Sequence, residues 1–219
     1  MDATPLLTAP VPATARDTAA PLDLAALVGP RAWQRLPVAV QRRFAAAHGD
    51  TTYRGTLAMD CSRIGALFAA CSRLLGGPLT AMRCAEVAAT VRVHGDGAGG
   101  VVWERHLALP GRDGERVVRS TKERGPHGGL VERTDGGLAM ALRVDEEAGA
   151  LVFTSLRYFL VIGRWRVPVP ALLTPGTCRV SHRDLGDGQF RFTLSMVHPL
   201  WGRTFHQTGV FADATEASS

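Results

Sequence analysis

The sequence predicts an α+β fold: a strongly curved antiparallel β-sheet or partial β-barrel, with N-terminal helices packed on it and a hydrophobic cavity inside. Three observations lead there. From about residue 101 to 211, apolar and polar residues alternate in short runs, the period of strands with one buried face. Glycine-rich breaks of a few residues separate the runs, which suits hairpins and is too short for parallel crossovers. Ahead of them lies one segment with apolar residues at helical spacing, whose stripe needs a sheet to cover it.

Taken in order, residues 1–21 are rich in alanine, threonine and proline and are expected to be disordered, as is a tail over 212–219. The single β-rich ligand-binding domain is expected over 22–211. Residues 22–28 form a short helix stopped by Gly29-Pro30, and 31–47 a helix interrupted near Pro37, with Trp33, Leu36, Val40 and Phe44 on one side. A first strand runs over 51–59. Ile64, Leu67, Phe68, Cys71, Leu74 and Leu75 then make the helical stripe, capped by Asp60 or Ser62 and ended by Gly76-Gly77-Pro78. Nine strands follow, over 85–93, 101–109, 115–123, 129–133, 138–144, 151–162, 177–185, 190–198 and 203–211. The connection 163–175 is longer and stiffened by Pro168, Pro170 and Pro175, and is expected to form a lid over one end of the sheet.

The formal charge of +5 comes almost wholly from arginine, since Lys122 is the only lysine. The arginines are scattered, with no basic run and no basic segment interleaved with aromatics, so no nucleic-acid partner is expected. Cys61, Cys71, Cys84 and Cys178 form no C-x-x-C pair and no zinc-like spacing, so no metal and reduced cysteines are expected. There is no signal-peptide pattern and no run near the eighteen or so apolar residues of a membrane span. A cytoplasmic protein with no membrane span is the expectation, and a homodimer stays open.

The run Leu36-Pro37…Tyr53-Arg54-Gly55, the helix end Leu74-Leu75-Gly76, Trp103-Glu104-Arg105, Leu130-Val131-Glu132 and the stretches 168–175 and 190–202 together resemble the bacterial family DUF4166. The resemblance covers roughly residues 36–211. It implies a domain that occurs alone or fused to an NAD-binding oxidoreductase-like domain, and no strand–G-x-G-x-x-G–helix unit is present here. The chain departs from the family pattern at Thr204-Phe205-His206-Gln207-Thr208-Gly209, which stands where a tyrosine-glycine pattern is more usual. The family name implies no activity.

The candidate site residues come from strand phase. Arg105 shares parity with Trp103 and Leu107, and inside an apolar cavity it requires a carboxylate or a ligand anion. Glu132 follows Leu130 in phase and is its natural partner. A cavity carboxylate with a raised pKa suits general acid or base work; a satisfied ion pair is the alternative. His198 continues the stripe Phe190, Phe192, Leu194 and Met196 and could shuttle a proton, or simply be a hydrogen-bonded core residue. Tyr158 could orient a carbonyl, with Arg157 beside it. Trp103, Trp165, Phe192 and Met196 are candidate pocket walls, and His206 is expected across the hairpin from His198, where a two-histidine metal site would need Glu132 as a third ligand. No G-x-S-x-G elbow is present.

The expectation is an apolar small-molecule ligand or substrate, polyketide-, terpenoid- or lipid-like, in an enclosed cavity. The leading reading is a cofactor-independent cyclase or isomerase of specialised metabolism, with Glu132, His198 and Tyr158 catalytic. Arg105, Trp103, Arg157, Trp165, Phe192, Met196 and His206 would bind ligand. The alternative is a non-catalytic lipid or small-molecule binder, or a helper of a separate oxidoreductase.

Overall fold

A computed structural model describes residues 21–46, 49–73, 77, 79–111 and 113–213. Residues 1–20 and 214–219, and Leu74, Leu75, Gly76 and Pro78 of the expected helix end, lie outside the described residues.

Strands β1 (Thr51–Cys61), β2 (Cys84–Gly95), β3 (Val101–Leu107), β4 (Arg116–Arg124), β5 (Leu130–Thr134), β6 (Leu138–Glu147) and β7 (Ala150–Ile162) are followed by β8 (Trp165–Val169), β9 (Thr177–Gly186), β10 (Gln189–His198) and β11 (Gly202–Ala212). The hydrogen-bonded order is β6-β5-β4-β3-β2-β1-β11-β10-β9-β7-β8, and β6 also pairs with β7. That last pairing closes ten strands into an antiparallel barrel and leaves β8 attached outside the ring. The expected partial barrel is therefore a closed one. Closure satisfies the ladder donors and acceptors of both would-be edge strands.

The alternation that predicts the strands is the inside–outside alternation of the barrel. In β2, Val87, Ala89, Val91 and Val93 are buried while their neighbours Glu86, Ala88 and Arg92 face out. The expected lid is more ordered than a loop. Residues 165–169 pair with the second half of β7 (Tyr158↔Val169, Ile162↔Trp165), and the 3₁₀ turn Ala171–Leu173 follows.

Three short helices precede β1: α1 (Leu24–Val28), α2 (Pro30–Trp33) and α3 (Val38–Phe44). Asp23 caps α1 by accepting from the Ala26 N–H. Pro37 splits the expected second helix, since a proline ring is tolerated only at a helix start. Leu36, Val40 and Phe44 are buried in the barrel core, so these helices close the end where β1 begins. β11 runs to Ala212, and the Asp213 carboxylate binds Arg42 and Arg43 of α3, so the ordered domain extends past the expected boundary.

The fourth helix, α4 (Arg63–Arg73), leaves the opposite end of β1, with Ser62 accepting from the Gly65 N–H. Its packing corrects the expected stripe. Gly65 and Ala69 are the buried positions, whereas Leu67 and Cys71 are exposed. A Cβ on Gly65 would collide with the Thr204 carbonyl oxygen, so the helix sits on β11 through its small residues. Its Phe68, Cys71 and Ser72 instead roof a cavity.

Candidate functional site

The barrel holds two adjoining cavities. The first, with about 80 Å³ of space open to the centres of water-sized molecules, has mostly apolar walls that include Leu57, Val91, Trp103, Phe190, Phe192 and Phe211. The second, about 150 Å³ on the same measure, lies toward α4 and is bordered by Phe68, Tyr158, Leu160, Val169, Leu173 and Pro175. Leu79, Glu132, Met140 and Met196 line both and form the partition between them.

Charge enters this apolar interior at one place. Register sets Lys122 of β4 opposite Glu132 of β5, and Ser120 of β4 opposite Trp103 of β3. Lys122 Nζ lies 3.2 Å from Glu132 Oε2. Arg105 Nη2 donates to Ser120 Oγ at 2.8 Å, and Ser120 donates to Glu132 Oε1 at 2.7 Å. Arg105 and Glu132 therefore meet, at 3.6 Å, mainly through the serine. Lys122 and Glu132 are each only 9% exposed. The ammonium stands 5.0 Å from the centre of the Trp103 ring and 5.5 Å from that of Phe153, close enough for cation–π attraction.

The electrostatics correct one expectation. Burial alone would raise the Glu132 pKa, but the Lys122 ammonium, the Arg105 guanidinium and the Ser120 hydrogen bond outweigh it and hold the carboxyl below its usual range. Glu132 is an ionised anchor and not a raised-pKa acid. Burial pulls Lys122 below its usual range against the attraction of Glu132. It pushes the Cys178 thiol up to about 12, so Cys178 is an unreactive thiol in the first cavity's wall.

Trp103, Arg105, Glu132, Phe192 and Met196 line the first cavity as phase predicts. Tyr158 borders the second, with its hydroxyl donating to the Gly176 carbonyl oxygen at 3.0 Å and its pKa raised by burial. His198 lines neither. It keeps the inward parity of Met196 and is buried, but it is the last residue of β10, where its ring lies 4.0 Å from that of Trp201, with Nδ1 accepting from the Leu200 N–H. His206 is opposite Ser195 in register and borders a shallow outer groove with Asp60, Arg83 and Cys84, away from both His198 and Glu132. Among the described residues no three His, Cys, Asp or Glu side chains are placed to hold a metal ion. Arg157 and Trp165 are also corrected. Arg157 is on the outer face of β7, displaced by a bulge opposite Ala141 and Leu142. Trp165, 64% exposed on the appended β8, stacks against the Arg164 guanidinium.

Sequence reasoning missed Ser120, Lys122 and His182. Lys122 shares parity with Val118 and Ser120, a signal masked by its neighbour Glu123 in a run that looks solvated. His182 faces the first cavity within an aromatic cage, its ring centre 4.9 Å from that of Phe44, 5.4 Å from Phe192 and 5.7 Å from Trp103. Its Nδ1 has no hydrogen-bond partner. Burial first, then the charges of Lys122, Arg43 and Arg105, drive its pKa down to about 3, so it is neutral.

Comparison with known proteins adds the following. The family model described as Domain of unknown function (DUF4166) matches residues 36–211. No curated protein matches. Among solved structures, that of the siderocalin Ex-FABP, described as functioning through dual ligand specificities, aligns over 78% of this chain and 76% of its own, at 12% identity and a TM-score of 0.29. A likeness that weak carries no argument about either fold or ligand.

Proposed function

This chain belongs to the DUF4166 family, and we propose that its barrel binds a mostly apolar small molecule in the first cavity. The observation that carries the reading is the combination of a mostly apolar cavity inside the barrel with a few convergent polar groups, the usual make-up of a small-molecule site. An apolar core built only for stability would be packed solid; these walls leave space beside a buried ion cluster. Binding fits the geometry better than acid–base catalysis does. Glu132 is ionised and held by neighbouring donors, the Tyr158 hydroxyl is committed to a backbone carbonyl, and His198 faces neither cavity. A cyclase or isomerase role for these residues has no specific support.

Titration with the neutral fluorophore N-phenyl-1-naphthylamine tests the reading. The wild type is expected to bind it saturably, one per chain. Filling the cavity by Ala89→Phe is expected to abolish binding, and Trp165→Ala, on the outer face, to leave it unchanged with stability within about 0.5 kcal/mol. Undiminished binding by a folded Ala89→Phe protein would place the dye elsewhere and end the proposal.

A further inference from the structure

The ion cluster in the first cavity contains two cations, Arg105 and Lys122, against one carboxylate, Glu132. Arg105 uses its guanidinium sparingly: Nη2 donates to Ser120, while Nε is buried without a partner. Among the described residues no second carboxylate pairs with either cation, and Glu132 is the only acidic residue among those lining the two cavities. A surplus buried positive charge with unused donors is costly unless something pairs with it. We propose that the ligand is an amphipathic anion, a carboxylate on an apolar body. Its head group sits against Arg105 and Lys122, and its body lies among Leu57, Val91, Phe190, Phe192 and Phe211.

The geometry favours a carboxylate over a neutral polar head. A planar guanidinium with free N–H groups matches two carboxylate oxygens, and the neighbouring ammonium supplies a point charge. Glu132 and Ser120 hold both cations in place from the strand side, so binding an anion requires little reordering of long side chains. Trp103, Phe153 and His182 shield the pair from water, which strengthens its attraction for an anion. The apolar remainder of the wall excludes small inorganic ions as the natural occupant, since they would leave it in contact with nothing.

This inference rests on the reading of the barrel as a container, and its test separates the two. Decanoate, 1-decanol and decylamine, equal in chain length, compete with N-phenyl-1-naphthylamine at pH 7 and physiological ionic strength. Decanoate is expected to bind about tenfold or more tightly than decanol, the scale of a charge-assisted hydrogen bond, and decylamine weakest. Lys122→Met and Arg105→Met each leave Glu132 with one cation, so both proteins should fold, as far-UV circular dichroism would confirm. Each is expected to bring decanoate down to the level of decanol while changing decanol binding less than twofold. Decanol binding as tightly as decanoate, or displacement of the dye by decanol alone, would overturn the anion assignment and leave the container standing. The assignment also fails if the variants weaken both ligands equally. If the dye itself does not bind, both readings fall together.

Discussion

Arg43 of α3 and Lys122 of β4 are both buried cations, and their surroundings differ in one respect. Arg43 Nε lies 2.8 Å from Asp213 and its Nη1 3.1 Å from Asp184, with the guanidinium 4.6 Å from the centre of the Phe190 ring. Arg42 joins the same group through Asp213, so two cations face two carboxylates. That cluster is balanced, sits at the helical end of the barrel and borders neither cavity. Lys122 and Arg105 share the single carboxylate of Glu132 and line the first cavity. Balance at the rim fastens helix to sheet, whereas imbalance inside leaves charge available to a guest. The contrast shows why burial of a charged residue, taken alone, does not indicate its role.

The sharpest way to break the comparison is to remove the interior carboxylate. Glu132→Leu leaves two buried cations facing each other and is expected to cost about 3–5 kcal/mol in urea unfolding at pH 7, the range for a stranded buried charge. A cost near zero would mean that water reaches the cluster freely. Arg43→Met comes next, at about 2 kcal/mol in the same assay, because Asp213 keeps Arg42 and both carboxylates are partly exposed. This variant should leave N-phenyl-1-naphthylamine binding intact; a loss would tie the rim to the ligand and erase the distinction.

The smallest effect is a pH slope. The folded pKa of His182 lies near 3, below its ordinary value of 6.5, so the unfolded chain takes up a proton that the native state refuses. The stability difference is absent above 6.5 and grows as pH falls toward 3, to the disadvantage of the fold. Glu132, held below its ordinary value of 4.5, adds a further loss of stability that begins as pH falls below 4.5. His182→Phe is expected to flatten the dependence between pH 6.5 and 3, read from thermal melting at a series of pH values. An unchanged slope would mean that the imidazole protonates in place and that the cage is wetter than its five rings suggest.

Much of this architecture is written in the alternation of the strands, because a barrel interior is sorted residue by residue. Arg105 and Glu132 are legible by phase for that reason, and so are Trp103, Phe192 and Met196. Phase fails where the backbone slips. A bulge opposite Ala141/Leu142 breaks parity beside Arg157, and nothing in the residues there announces an extra step; His198 keeps its parity and is buried, but at the end of β10 it lines neither cavity. The helical stripe of α4 misleads for another reason. Its close approach to Thr204 depends on Gly65 and Ala69, residues that a search for large apolar side chains passes over. Lys122 is hidden by its charged neighbours, although its being the only lysine in an arginine-rich chain sets it apart.

The pairing of β1 with β11 sets Arg54 opposite Ala212, joining segments at the two ends of the domain. Most other pairings in the ring join strands adjacent in sequence, the β7–β9 contact being a second exception. Hairpins can thus form early and locally, while the ring itself stays open until the last strand is in place. During synthesis the interior cations would remain hydrated until that final closure, so the cavity and its unbalanced charge come into being in one late step.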